Sequence, residues 1–244
     1  MKIELETKHQ DLAKHVNEQL SFLDVDNVRM FVIIFLGMYD LPLFLGFASI
    51  FDETMSFTFL WMVSPFVLIL HLWGIRLLIK NPYSTQYEMI SFMGIWGLFG
   101  SISLIAVLQG MSYYTLQITS IFFYIVINLM SVLLASYLIK YQIDKYTSDP
   151  TEEKTRSNQS KYMGLLSMAP ALGYIAAQSL RDTVVLGSIF ELIIIYIFFT
   201  YMVYVAAKFL HKYFFIKINM SFVNYQPYSN KEKKKLKKQG VEIK

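Results

Sequence analysis

The sequence predicts an all-α, polytopic integral membrane protein with six transmembrane helices and both termini in the cytoplasm. Three observations carry this. Of its 244 residues 55% are hydrophobic and only 16% charged, with a mean hydropathy of +0.42, whereas a soluble domain carries roughly 25% charged residues. The apolar residues fall in blocks of about twenty, the length a helix needs to cross a ~30 Å hydrocarbon core. The basic residues collect on one side of those blocks. Such a composition excludes a soluble enzyme. With no cysteine, disulfide-stapled domains, thiolate zinc sites and CxxC redox chemistry are excluded too.

The first segment, residues 1–29, is polar and acidic as well as basic, with no apolar core of the kind a cleavable signal peptide has. Leu12, Val16, Leu20 and Leu23 recur at helical spacing between charged residues, which predicts a short cytoplasmic amphipathic helix along the inner leaflet, the alternative being a frayed tail. The bundle then occupies residues 30–210, with spans at Met30–Phe51, Ser56–Ile79, Met89–Leu108, Tyr114–Ile139, Tyr162–Leu180 and Val184–Leu210. The fifth is the least apolar. Ahead of it, Asp149-Pro150-Thr151-Glu152 has the Asp cap, Pro and Glu of a helix start. Residues 211–244 form a cytoplasmic basic tail. Within it Ile216, Ile218, Met220 and Phe222 alternate with polar residues, a period-two pattern that predicts a short strand or extended segment.

Charge tests the span count. With six spans, the N-terminus, the second and fourth loops and the C-terminus share one side. That side holds every Lys and Arg of the chain's 22 except Arg181, while the first outer loop carries Asp52 and Glu53. Lys and Arg are retained on the cytoplasmic side, so both ends face inward. Trp61, Tyr113 and Tyr114 fall at outer ends and Tyr83, Tyr87, Tyr137, Tyr141 and Tyr162 at or near inner ones, the depth amphipathic rings prefer. Lys231, Lys233, Lys234, Lys235, Lys237 and Lys238 crowd the tail. Anionic lipid headgroups attract such a cluster by ~1 kcal/mol per lysine. Nucleic acid is not expected as a partner, because no stacking platform or folded module accompanies the lysines.

Ionisable groups inside spans are costly in lipid and therefore mark candidate sites. Asp40, His71 and Glu191 lie well inside spans. Asp40 and His71 are at similar depth on consecutive antiparallel helices, about 15 and 12 Å from the inner surface at ~1.5 Å per residue, so they are placed to pair. Glu191 sits nearer the outer face, and Asn128 is a candidate member of a buried polar network. Two readings stand open: a proton or ion relay, or an interhelical hydrogen bond that fixes packing with the carboxyl kept protonated. Pro42 deprives the Met38 carbonyl of its helix donor, so Tyr39-Asp40-Leu41-Pro42 is expected to face the bundle interior.

Small residues mark close helix contacts. Ala169, Gly173 and Ala177 recur every fourth position in the fifth span, and Gly94, Gly97 and Ser101 form a similar face in the third. No catalytic motif is present: Glu152-Glu153-Lys154-Thr155-Arg156 departs in spacing and context from the paired-Glu motif of intramembrane proteases. His71 is the only intramembrane histidine, and no phosphate-binding loop or dinucleotide fingerprint occurs. Neither enzyme activity, nor a metal, nor a cofactor is expected. Prolines in spans one, two and five do not repeat between halves, as an inverted-repeat carrier would have them.

The polar start MKIELETKHQDLAKHVNEQL, the six spans and the terminal KEKKKLKKQG together resemble the small polytopic proteins encoded in staphylococcal type VII secretion gene clusters. The likeness is a whole-chain pattern and transfers no functional residue. It implies a non-enzymatic accessory or immunity factor in the bacterial plasma membrane, partnered with a secreted effector or the secretion machinery. The same topology and length also resemble the permease subunit of lantibiotic-immunity ABC exporters, which implies a separate ATPase subunit. A third reading is an ion-coupled carrier using Asp40 and His71.

Overall fold

Runs of twenty and more apolar residues leave the backbone no partner in lipid except itself, and the chain answers with helices. The computed structural model describes residue 3, residues 12–50, 57–146 and 184–223, and residue 233. Among these residues the helices are α1 (Lys14–Leu20), α2 (Val28–Ile50), α3 (Phe57–Ile79), α4 (Gln86–Tyr114), α5 (Ile121–Lys145) and α6 (Val184–Ile218). Short 3-10 turns occupy Val25–Asn27, Pro82–Ser84 and Met220–Phe222. Among the described residues four helices are long and apolar enough to cross a membrane: α3 from Trp61, α4, α5, and α6 from Ile189. The protein is thus a multi-pass membrane protein. Helix α2 occupies the expected first span. The expected fifth span, Tyr162–Leu180, and the helix start at Asp149 lie outside the described residues.

Contacts fix the direction of each helix. Helix α4 is central, with Met89, Ile90, Phe92, Met93, Trp96, Leu104 and Val107 all buried. Against it α2 runs parallel: Trp96 Nε1 donates to the Phe35 carbonyl at 2.7 Å, and Tyr39 Oη meets Ser103 Oγ at 2.8 Å. Helix α3 runs the other way, as Phe66 packs on Phe99 and Trp73 on Phe92. Helix α6 is also antiparallel to α4. Tyr87 stacks on Tyr213 with ring centroids 4.8 Å apart, and Gly94, Gly97 and Gly100 face Leu210, Ala206 and Met202 in turn. Helix α5 doubles back from α4, and its C-terminal neighbour Tyr146 stacks on His211 at 5.1 Å. So α5 and α6 run in the same direction, side by side.

The close α4–α6 seam follows from glycine. A Cβ at Gly97 would lie 2.6 Å from the Ala206 nitrogen and 2.7 Å from the Met202 carbonyl oxygen. Only a residue without a side chain lets the two backbones meet there, and in lipid such contact is a main source of helix association. Of the other residues expected on this face, Gly94 lies against Leu210, while buried Ser101 turns its hydroxyl to the Leu98 carbonyl. Gly100, unread in the sequence, completes the seam against Met202. Ala169, Gly173 and Ala177 lie outside the described residues.

Four expectations are corrected. Helix α4 continues to Tyr114 and α5 begins only at Ile121, so Tyr114 closes the third span instead of opening the fourth. Helix α6 passes Leu210 and ends at Ile218, followed by the 3-10 turn. The basic tail therefore starts as a continuation of the last helix, and the segment at Ile216–Phe222 is no strand. Phe215, Ile216, Asn219 and Phe222 are buried, and their spacing of one, three and three is that of a helix face, not a strand face. The fourth concerns the N-terminal helix. It exists, but its apolar side is spent on protein: Val16 and Leu20 cluster with Leu12, Ile3, Phe215 and Phe222, all buried.

Polar bonds hold α1 in place. The Lys212 ammonium donates to the Glu18 carbonyl at 3.0 Å, Gln19 Nε2 meets His211 Nδ1 at 3.2 Å, and the Ile3 amide donates to Asn219 Oδ1 at 2.7 Å. Burial pushes the Tyr146 hydroxyl up to about 12, so its ring stays neutral against His211. Placing a carboxylate at Val16 is expected to free this helix, because an unpaired charge in an apolar pocket costs several kcal/mol, about what the small cluster contributes. In the Val16→Asp protein purified in mild detergent, trypsin is expected to cut at Lys14 at least tenfold faster (~1.4 kcal/mol of opening), with the membrane helices intact. Unchanged cleavage would show that α1 is held by something other than this cluster.

Candidate functional site

Asp40 lies about 18 Å along α2 from Val28, and His71 about 12 Å before the end of α3, at ~1.5 Å per residue. The antiparallel pairing of the helices brings them together. His71 Nε2 is 3.1 Å from Asp40 Oδ2, and His71 Nδ1 is 2.8 Å from the Val67 carbonyl oxygen one turn earlier. Gly74 makes the approach possible: its missing side chain admits Leu36, whose Cδ1 would be 2.8 Å from a Cβ there.

The second bond settles the chemistry of the first. A carbonyl only accepts, so Nδ1 must carry a hydrogen. Nε2 and Oδ2 at 3.1 Å then share one proton, held either by the imidazole as an ion pair or by the carboxyl as a neutral pair. In both forms the unit carries no net charge. Such a unit is far cheaper in a membrane than a lone carboxylate.

The pair is not sealed inside the bundle. The side chains of His71 and Asp40 are 35% and 47% exposed. Along α2, Tyr39 and Pro42 are buried, Asp40 is half-buried and Leu41 is exposed. The expectation that Tyr39–Pro42 as a whole faces the interior is therefore corrected: one edge of the helix turns inward and the other, with Asp40, sits at the rim of the α2–α3 seam.

The remaining candidates lie apart. Asn128 is exposed on α5, accepts from Gln109 Nε2 at 2.8 Å and donates to the Tyr124 carbonyl at 2.8 Å. It joins an α4–α5 bridge and not a buried network. Glu191 is exposed on the half of α6 that precedes the seam with Gly97. Of the tail lysines only Lys233 is described, and it is exposed; Lys231, Lys234, Lys235, Lys237 and Lys238 lie outside the described residues.

One cluster escaped sequence reading. Glu88, in the first turn of α4, accepts from Trp73 Nε1 at 3.0 Å and lies 3.3 Å from Arg76 Nε and 3.6 Å from Lys80 Nζ. Arg76 lies in the last turn of α3 and Lys80 one residue past its end, its amide still bonded to the Arg76 carbonyl, so both fall on one side, and a carboxylate suits the N-terminal end of α4. That spacing was the available signal. The cluster clasps the α3–α4 hairpin at the end where the described helices carry their basic residues. No protein-family model, curated protein or solved structure matches the chain.

Proposed function

We propose that this chain is a non-enzymatic six-span protein of the bacterial plasma membrane that works by binding a partner within the bilayer. Its role is that of an accessory or immunity factor for a secreted effector or a secretion system. The observation that carries the reading is the half-exposed Asp40–His71 pair at mid-depth. A pair serving only internal packing gains by being covered, whereas this one is presented at the surface of α2 and α3. The resemblance to proteins of type VII secretion clusters points the same way.

The topology of the reading rests on connection. Because α5 and α6 run in one direction, residues 147–183 leave the end of α5 and rejoin the chain at the opposite end of α6. Tyr162–Leu180, the fifth apolar run of the sequence, has the length that one crossing requires. Lys14, Arg29, Arg76, Lys80, Lys140, Lys145, Lys208, Lys212 and Lys217 all belong to the end of the bundle that α1 caps, which supports placing that end in the cytoplasm. Anionic lipid would meet the lysine-rich tail there.

A second reading has its own observation: a pair that shares one proton is the minimal unit of a proton-coupled carrier. The deciding experiment is purification of the tagged protein in mild detergent from its native host. A bound effector or secretion component is the expected result. A bound ATPase would establish the exporter-permease reading instead. Recovery of the chain alone would sink the partner reading, and proton flux in proteoliposomes, abolished by Asp40→Asn, would establish the carrier.

A further inference from the structure

The open edge of the Asp40–His71 pair accepts hydrogen bonds and cannot donate them. His71 Nδ1 is spent on the Val67 carbonyl, and the proton between Nε2 and Oδ2 is spent within the pair. Asp40 Oδ1 is left, and no described group bonds it. In water solvent would satisfy such an oxygen; at mid-bilayer the hydrocarbon has no donor to offer.

The surroundings have the form of a helix seat. Leu41 and Phe44 on α2 and Leu68, Leu72 and Ile75 on α3 are large, exposed and apolar. One turn before Asp40 the same face is notched by Gly37, exposed, with nothing within 4 Å of where its Cβ would be. An apolar rim, a small residue that lets a backbone come close, and one unsatisfied acceptor beside it are the elements by which membrane helices recognise each other. Resting on the partner reading above, we propose that this face seats a transmembrane helix of a partner protein, packed on Gly37, that brings a hydrogen-bond donor to Asp40 Oδ1. The donor is a hydroxyl, amide, ammonium or guanidinium at mid-depth. Complementarity decides this: a helix offering only acceptors or hydrocarbon leaves the oxygen bare.

The chain has no cysteine, so single cysteines carrying a benzophenone photo-cross-linker report one position each. Phe44→Cys and Leu72→Cys probe the seat, and Leu133→Cys on the far helix α5 is the comparison. In native-host membranes the first two are expected to cross-link one membrane protein through a segment bearing a donor. Gly37→Leu is expected to abolish the product without lowering thermal stability in detergent, since a Cβ there meets nothing within 4 Å. Asp40→Leu combined with His71→Leu, which removes acceptor and pair together, is expected to reduce it by roughly 3- to 20-fold, the span of a single interhelical hydrogen bond.

Cross-linking that persists in both variants, or that maps to a segment without a donor, overturns the proposal and leaves the partner reading standing. So does a product seen only from Leu133→Cys. Products mapping to residues 147–183 or to a second copy of the chain overturn it as well. Absence of any product at all three positions removes the partner reading itself.

Discussion

Gly97→Leu is expected to leave no folded protein to purify. The first atom added at this position already falls 2.6 Å from the Ala206 nitrogen, 2.7 Å from the Met202 oxygen and 3.0 Å from the Ala206 Cα. These are backbone atoms of α6, so relief requires moving the whole helix, and with it the packing of Met202, Val203 and Ala206 that buries this part of α4. Overpacking of a single core methylene costs ~1–3 kcal/mol, and three further carbons must also be housed. Better helix propensity for the new residue returns only ~1 kcal/mol. Gly97→Ala is expected to fold with a lowered melting temperature. Gly94→Ala should be milder, because the nearest atom to its Cβ, at 2.8 Å, is Cδ2 of the movable Leu210 side chain. Gly37→Leu should lose no stability, as a Cβ there meets nothing within 4 Å. The check is the monodisperse fraction after detergent extraction and the thermal midpoint of each variant. Equal behaviour of Gly97→Leu and Gly37→Leu would mean that the α4–α6 seam does not hold the bundle.

What was legible in the sequence is what local chemistry dictates. A run such as Phe57–Ile79 has to be helical in lipid, so each described membrane helix overlaps an expected span, and α2 and α3 keep to their expected ends within two residues. Gly94 and Gly97 sit on one face at helical spacing, and equal depth on adjacent antiparallel helices was enough to predict that Asp40 meets His71. The failures have a common cause, which is that hydropathy reads residues one at a time. Lys212 and Lys217 look like the end of a span, yet helix hydrogen bonding carries on past them. Lys212 does not need to leave the protein, because the Glu18 carbonyl receives its ammonium. Ile216 to Phe222 alternates by eye, but the residues that bury themselves include Phe215 and Asn219, which belong to a helical pattern. Leu12 to Leu20 reads correctly as one apolar face; nothing in it distinguishes a lipid surface from the end of α6 as the thing it covers. Glu88 was passed over because a charge at a span's edge looks ordinary until its three partners converge from another helix.

The Asp40–His71 pair should behave oddly in a double-mutant cycle, and the oddity separates packing from function. His71→Leu leaves a carboxyl at mid-depth without its proton partner, and an isolated Asp there costs about 2.5–3.5 kcal/mol on insertion scales. Half-exposure reduces that, so a loss of about 1–2 kcal/mol is expected. Asp40→Leu should cost less, since a neutral imidazole keeps its bond to the Val67 carbonyl and retains only an acceptor facing outward. The double variant Asp40→Leu/His71→Leu is expected to be more stable than His71→Leu alone and within about 1 kcal/mol of the unaltered protein, as apolar replacement of a whole ion pair is often neutral. Reversible unfolding in mixed detergent micelles measures all four. A double variant as unstable as the sum of the singles would show that the two side chains are not coupled at all, whereas one as unstable as His71→Leu alone would make the pair a structural clamp. If instead the double variant folds and yet loses its partner in the native-host membrane, stability is removed as an explanation. The pair is then held at the surface of α2 and α3 for what it binds.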